Sequence, residues 1–400
     1  MFPRDLSAAV RDIAAIRPAI FLTGPRQTGK STILRMALPE YTYISLDLPT
    51  VAQMAEDAGD EFLRRYPPPV IIDEVQYAPN LFRFLKAAID SDRRSNGRFA
   101  LTGSQHFPLF SEVTESLAGR IAILNMNSLS LHELERGTGS KAEGTQLLEW
   151  LLLGGYPEIH ADGVPFDRFY PDYIATYLER DVRHILNVKN LRDFDRFLRL
   201  LASRTGHIFN LASVASDLGI SPNTVKSWLS VLESTGIIKF LEPFYENFGK
   251  RVVKSPKLYF MDTGLVCFLT GIRSVEALRE SSALGHLFET LAFGQLVRSS
   301  IHRSYPSNLY YFRDHSGREV DFVIPQGDKL ELYECKWAEQ VPRAIPAFTD
   351  LENIAGKSKI LSKTLITPMR GVRRMTSTGI VARDCVDPRG DYAAQAKAAR

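Results

Sequence analysis

Residues 24–32 read Gly24-Pro25-Arg26-Gln27-Thr28-Gly29-Lys30-Ser31-Thr32, a full match to the pattern G-x-x-x-x-G-K-[ST]. No other stretch of the chain restricts its fold so tightly. The pattern functions only where a strand runs into a glycine turn and the turn into a helix. Both flanks comply: residues 19–23 (AIFLT) are apolar and strand-like, and residues 31–38 form a helical pattern stopped by Pro39. Such a loop wraps a phosphate chain in backbone N–H groups, and the helix N-terminus adds positive potential. Lys30 is expected to reach the outer phosphates and Ser31 to hold Mg²⁺ through its hydroxyl, with the whole run Gly24 to Thr32 forming the cradle. The implied ligand is a nucleoside triphosphate such as ATP.

A second strand pattern, residues 43–47, and a polar helical stretch, 51–65, follow the loop. Three prolines at 67–69 then introduce Val70-Ile71-Ile72-Asp73-Glu74, a buried parallel strand ending in two carboxylates. At this distance from a phosphate loop, Asp73 is expected to hold Mg²⁺ through water and Glu74 to polarise the attacking water. Residues 99–105 (FALTGSQ) read as a further strand between the nucleotide strand and the Asp-Glu strand. Ser104 is the candidate γ-phosphate sensor, against the alternative of turn chemistry at Gly103-Ser104. Residues 121–124 supply a fifth strand, and the alternation implies a mostly parallel sheet covered on both faces.

Four hundred residues exceed one ordinary core, so two or three domains are expected. A net charge of +3 excludes binding of nucleic acid by bulk charge and leaves local patches as the only route. Cys267, Cys335 and Cys385 are far apart and form no C-x-x-C pair, which argues against disulfides and a cysteine zinc site and fits a reducing, cytoplasmic setting. No apolar run approaches the ~20 residues of a membrane span. Asp5, Arg11 and Asp12 lie where a signal peptide needs an apolar block.

The set GPRQTGKST, VIIDE, LTGSQ and SLAGR resembles the P-loop ATPases of the AAA superfamily. More narrowly, the chain is similar to a bacterial and archaeal group in which the ATPase domain precedes a winged helix and a C-terminal domain similar to restriction endonucleases. The resemblance covers the chain to about residue 370. It implies an α/β fold: a P-loop NTPase parallel sheet, then a helical and winged-helix region, then a small α/β restriction-endonuclease-like domain. The expected divisions are 1–135 for the ATPase domain, 136–205 helical, 206–275 winged helix, 276–370 nuclease-like and 371–400 a tail whose last dozen residues are frayed. Such a site needs an arginine to stabilise charge on the transferred phosphoryl group. Arg120 in SLAGR, and Arg180 and Arg183 in YLERDVR, are the candidates. An arginine donated by a neighbouring subunit would require a homo-oligomer.

In the middle segment, residues 210–218 and 221–234 have helix-turn-helix layout around Gly219-Ile220. Ser221 suits the cap and Pro222 the first helical position. Extended segments at 237–243 and 257–261 follow, as in a winged helix. A DNA-reading second helix would turn Asn223, Thr224, Lys226 and Ser227 outward, but one lysine without arginine promises weak phosphate attraction.

Further on, a helix at 283–297, strands at 309–313, 319–324 and 329–336, a helix at 341–354 and a strand at 360–367 follow the element order of restriction-endonuclease-like cores. Glu334 and Lys336, two apart on one strand, share a face. Asp321 on the neighbouring strand of the hairpin and Glu289 on the helix can join them. Carboxylates make a hard-oxygen site for Mg²⁺ or Mn²⁺, and Lys336 would orient or deprotonate a water. The resemblance matches the pattern D…E-x-K at Asp321, Glu334 and Lys336. Two functions follow: an ATP-hydrolysing enzyme that binds and cleaves DNA, or an ATP-dependent switch or assembly platform that cuts nothing.

Overall fold

The computed structural model describes residues 1–103, 117–178, 191–244, 253–302, 308–338, 344–375 and 379–392. Among these residues three sheets form. The first joins β1 (Ala19–Thr23), β2 (Thr42–Ser45), β3 (Val70–Asp73), β4 (Phe99–Thr102) and β5 (Ile121–Asn125), all parallel, in the order β2-β3-β4-β1-β5. Alternation along these strands divides the apolar residues between two cores. Phe21, Val70, Ile72, Phe99 and Leu101 face one, under the helices Pro49–Asp57, Gly59–Arg65 and Leu81–Ser91. Ile20, Leu22, Ile71, Ala100 and Leu124 face the other, beneath the helices Leu6–Ile16 and Lys30–Ala37. β1, buried along its whole length, places the phosphate loop at the carboxyl edge of this doubly covered sheet. The expected helix at 51–65 is two helices, broken at Ala58.

A helical region follows, including Gly144–Leu153, Phe166–Tyr173 and Leu191–Ala202. The helices Leu211–Leu218 and Pro222–Ser234 then lead into a three-stranded antiparallel sheet of β6 (His207–Ile208), β7 (Ile238–Leu241) and β8 (Lys257–Phe260), ordered β6-β8-β7. The capping expectation at the second helix corresponds to a bond: Ser221 Oγ accepts from Thr224 N at 3.1 Å.

The last sheet is mixed. β9 (Tyr310–Arg313), β10 (Glu319–Gln326) and β11 (Lys329–Cys335) form an antiparallel meander, and β12 (Ile360–Thr367) pairs parallel to β11. β13 (Val372–Met375) and β14 (Ile380–Asp384) complete the order β13-β14-β12-β11-β10-β9. The expectation of a tail from residue 371 is therefore corrected. Ile380 and Ala382 are buried against the sheet, and β14 runs parallel to β12 with Lys363 beside Ile380. Past them Tyr392 stacks on His132 with ring centroids 3.8 Å apart. Of the last dozen residues, 393–400 lie outside the described residues.

One apolar cluster runs through the helical region, the helix pair Leu211–Leu218 and Pro222–Ser234 with its small sheet, the long helix Leu284–His302 and one face of the last sheet. A polar hub ties the same parts to the end of β5. The buried guanidinium of Arg298 donates to Ser128 O at 3.0 Å, Ser128 Oγ at 2.8 Å and Met261 O at 2.8 Å. Asp262 accepts from Gly155 N, Ser128 Oγ and Tyr170 OH at 2.9, 3.0 and 2.7 Å.

Candidate functional site

The loop between β1 and the helix Lys30–Ala37 turns through backbone conformations with positive φ at Gly24 (138°), Gln27 (58°) and Gly29 (88°). Gly24 is required twice over. Its φ disfavours any side chain, and a Cβ there would lie 2.0 Å from Met126 O. Gln27 holds the left-handed region without that exemption, a strain that surrounding bonds must sustain. They do: Thr28 Oγ1 donates to Pro25 O at 2.9 Å, and the Lys30 ammonium donates to Gly24 O at 3.1 Å and Pro25 O at 2.9 Å. Arg4, which carries no motif, braces the loop from outside. Its guanidinium donates to Thr28 O at 2.8 Å and Asn127 O at 2.7 Å, and pairs with buried Glu133 at 3.0 Å.

Asp73, at the end of β3, meets Ser31. The Ser31 hydroxyl lies 2.8 Å from both carboxylate oxygens. Tyr43 OH donates to the same carboxylate at 2.7 Å, and Thr102 Oγ1 donates to it as well. Burial and the Asp73 carboxylate both push the Tyr43 hydroxyl's pKa up, so it stays a donor. Glu74, in the left-handed region with φ 60°, leaves the strand line; its N–H donates to Thr102 Oγ1 at 3.3 Å and its carboxylate accepts from Gln76. Thr32 lies exposed on the first helical turn, and Arg26 is half-buried within the loop. Tyr43 and Thr102 escaped sequence reasoning. The signal was the register: Ser45 pairs with Asp73, and Ile72 with Leu101, which aligns Thr102 beside the carboxylate.

Arg120 is not brought to this loop. It precedes β5, whose Ile121 pairs with Ala19 and whose Asn125 pairs with Thr23. It therefore stands at the opposite end of the sheet, about 16 Å away along five residues. There it forks onto Asp90 at 2.8 and 3.0 Å, and holds that carboxyl down at about 2. Within one chain it cannot stabilise the transferred phosphoryl group. Ser104, Arg180 and Arg183 lie outside the described residues.

At the far sheet, β10 and β11 pair Phe322 with Tyr333, so one step on Asp321 lies alongside Glu334. Asp321 accepts from Cys335 N at 2.8 Å, and Lys336 Nζ lies 2.9 Å from Glu334 Oε1. Glu334 Oε2 is buried with no hydrogen-bond partner among the described residues. Burial raises the pKa of Asp321, reinforced by Glu289 and Glu334; burial also raises that of Glu334, against the pull of Lys336. Glu289 has a partner that its motif does not contain. Lys257, on β8 and 2% exposed, donates to Glu289 Oε1 at 2.9 Å and pairs with Glu319. Burial alone would raise Glu289, but Lys257 together with hydrogen bonds from His286 and Tyr259 outweighs it and holds the carboxyl at about 2. Oxygens of Glu289, Glu319 and Asp321 all lie within 4.8 Å of one another. A hard cation fits the donor set of Asp321 and Glu334, where an oxygen lacks a partner, while Glu289 is engaged by an ammonium of the same chain. Neither Lys257 nor Glu319 has a local motif; both reach the cluster through strand pairing.

On the helix Pro222–Ser234, Asn223, Lys226 and Ser227 are exposed and Thr224 half-exposed, while Val225, Trp228, Leu229 and Leu232 are buried. Among the described residues, no helix is long and apolar enough to cross a membrane.

Comparison with known proteins divides the chain in three. Residues 16–135 match the family described as AAA domain. Residues 144–276 and 284–378 match two families described as domains of unknown function, DUF8612 and DUF4143. An uncharacterized protein of Mycobacterium tuberculosis and another of Mycobacterium bovis are each 30% identical over 341 residues, covering 83% of this chain and 73% of theirs. Among solved structures, a Walker-type ATPase of Pyrococcus abyssi aligns with TM-score 0.43 and 18% identity, over 67% of this chain and 96% of that one. The Thermotoga maritima RuvB Holliday junction branch migration motor aligns with TM-score 0.31 and 18% identity, over 60% and 89%.

Proposed function

The chain belongs to the family of these two mycobacterial proteins, with an amino-terminal P-loop ATPase domain of the AAA type, and from that premise we propose that it is an ATP-driven switch whose output is the winged-helix unit. Lys30 binds the outer phosphates. Ser31 and Asp73 would hold Mg²⁺, which when bound screens the charge of the phosphates. Glu74 orients the attacking water. The observation that carries the reading is the Ser31 hydroxyl aimed at both oxygens of Asp73 directly beneath the loop. Support for the output comes from Gly236, in the turn before β7. A Cβ there would meet Pro25 Cδ at 3.1 Å, so the winged-helix unit rests on the phosphate loop itself. Exposed Asn223, Lys226 and Ser227 support DNA as the partner class for that unit, and an arginine from a second copy would complete the ATP site.

ATP turnover by the full chain, with Lys30→Ala and Glu74→Gln beside it, tests the site. Both variants should lose at least about 100-fold in rate, Glu74→Gln with ATP binding retained. Unchanged turnover in Lys30→Ala defeats the reading.

One specific observation favours a second activity, divalent-metal-dependent cleavage of DNA. Asp321 and Glu334 stand side by side with an unpartnered buried oxygen and Lys336 at hand. Asp321 and Glu334 would hold the metal, which supplies Lewis acidity at the scissile phosphate; Lys336 orients a water. Nicking of supercoiled plasmid with Mg²⁺ or Mn²⁺ that Asp321→Ala and Lys336→Ala abolish supports it. Equal background from wild type and variants leaves the switch alone.

A further inference from the structure

Between the phosphate loop and the winged-helix unit lies a cavity of about 370 Å³. Gly24 and Pro25 line it on the ATPase side; Glu233, Gly236, Lys239 and Phe240 line it on the other. Lys239 is its one lysine. It sits in β7, half-buried, and its ammonium has no hydrogen-bond or ion-pair partner among the described residues. Burial pushes its pKa down, and Glu233 offsets this only in part. Glu233 is solvent-exposed at the end of its helix and beyond ion-pair distance. A half-buried cation that only the more distant Glu233 offsets gains from an anion entering the cavity beside it. The anion expected next to Gly24 and Pro25 is the polyphosphate of the nucleotide.

We propose that Lys239 is a nucleotide-binding residue: it reaches from the winged-helix unit across this cavity to the phosphates held in the 24–32 loop, so that one ligand is clasped by both units. This rests on the ATP site proposed above and adds the route of coupling. When the phosphate nearest Lys239 leaves, the winged-helix unit loses its charged tether. The packing of the Gly236 turn on Pro25 does not depend on that tether. Gly24 and Pro25, whose carbonyls accept from Lys30, line the same cavity as Lys239. In the proposed clasp an ammonium from each unit would meet the ligand.

The test is calorimetric titration of the full chain with ATP and ADP, comparing wild type, Lys239→Met, Lys239→Arg and Lys30→Ala. Loss of one charge-assisted contact should weaken ATP binding by Lys239→Met about tenfold or more, and Lys239→Arg should restore most of it. A second readout uses the wild type alone. ATP should shield Lys239 from acylation by an activated ester, read by mass spectrometry, and adenosine should not. If Lys30→Ala loses ATP while Lys239→Met binds as wild type does, the clasp is wrong and the ATP site stands. If wild type binds no ATP, both fall. Weakened binding that Lys239→Arg fails to restore, or acylation indifferent to ATP, also overturns the role of Lys239.

Discussion

At the scale of single residues, the carboxylates around Lys257 set opposite dependences on pH. Burial and the neighbouring Glu289 keep Asp321 protonated beyond the range where the unfolded chain has released its proton. Its contribution to stability is thus complete below about pH 4 and is lost as pH rises through the folded-state value. Asp321→Asn, which keeps an oxygen for Cys335 N, should therefore stabilise the protein at pH 8 by on the order of 1 kcal/mol. The gain should vanish near pH 4. Urea midpoints across that range decide it, and a loss at pH 8 contradicts it. Glu289, held at about 2, behaves in reverse: its contribution is present above the unfolded value and fades as pH falls toward about 2. Lys257→Met leaves buried Glu289 without its ammonium, although half-buried Glu319 keeps Arg313, and should cost about 3–5 kcal/mol. Adding Glu289→Met should recover part of that loss, a coupling that a double-mutant cycle in urea measures. The difference in legibility has a physical cause. Lys30, Ser31, Asp73 and Glu334 were readable because their chemistry is written in contiguous spacing. Tyr43, Thr102, Lys257 and Glu319 were not, because register between distant strands, which a linear pattern does not encode, delivers them.

At the scale of elements, the phosphate loop depends on what lies across from it. Met126 N donates to Thr23 O at 2.7 Å, which brings Met126 O onto Gly24. Gly24→Ala should therefore do more than strain a turn. It must push the segment after β5 away from the loop, at about 1–3 kcal/mol, and ATP binding should fall below detection while far-UV circular dichroism stays that of the wild type. Retained ATP affinity would show that the loop tolerates the displacement. Strands β1 and β3 to β5 were legible as short apolar runs bounded by turn residues. β13 and β14 were not, because Arg373, Arg374 and Arg383 interrupt their apolar alternation at the sheet's edge. The π-helical turn Ile174–Leu178, next to the segment bearing Arg180, likewise has no sequence signature.

At the scale of the whole molecule, an expectation of two or three domains meets one core shared by the parts after β5, which the hub of Arg298 and Asp262 ties to the ATPase sheet. Length and composition predict how many cores a chain can fill, but not which surfaces fuse. The three tryptophans, Trp150, Trp228 and Trp337, all lie beyond the ATPase domain. Their fluorescence therefore follows the parts beyond the ATPase domain. If the units unfold together, ATP at 100 times its Kd should raise the tryptophan-detected stability by about 2.7 kcal/mol, although no tryptophan belongs to the ATPase domain. Arg298→Met removes the bonds to Ser128 and Met261 that join the end of β5 to the end of β8. It should shrink that ATP-induced shift by more than it lowers ATP affinity. A tryptophan-detected midpoint indifferent to ATP, with a separate ATP-sensitive transition in circular dichroism, would mean the units unfold independently. The proposed coupling of the phosphate loop to the helix pair Leu211–Leu218 and Pro222–Ser234 would then be lost.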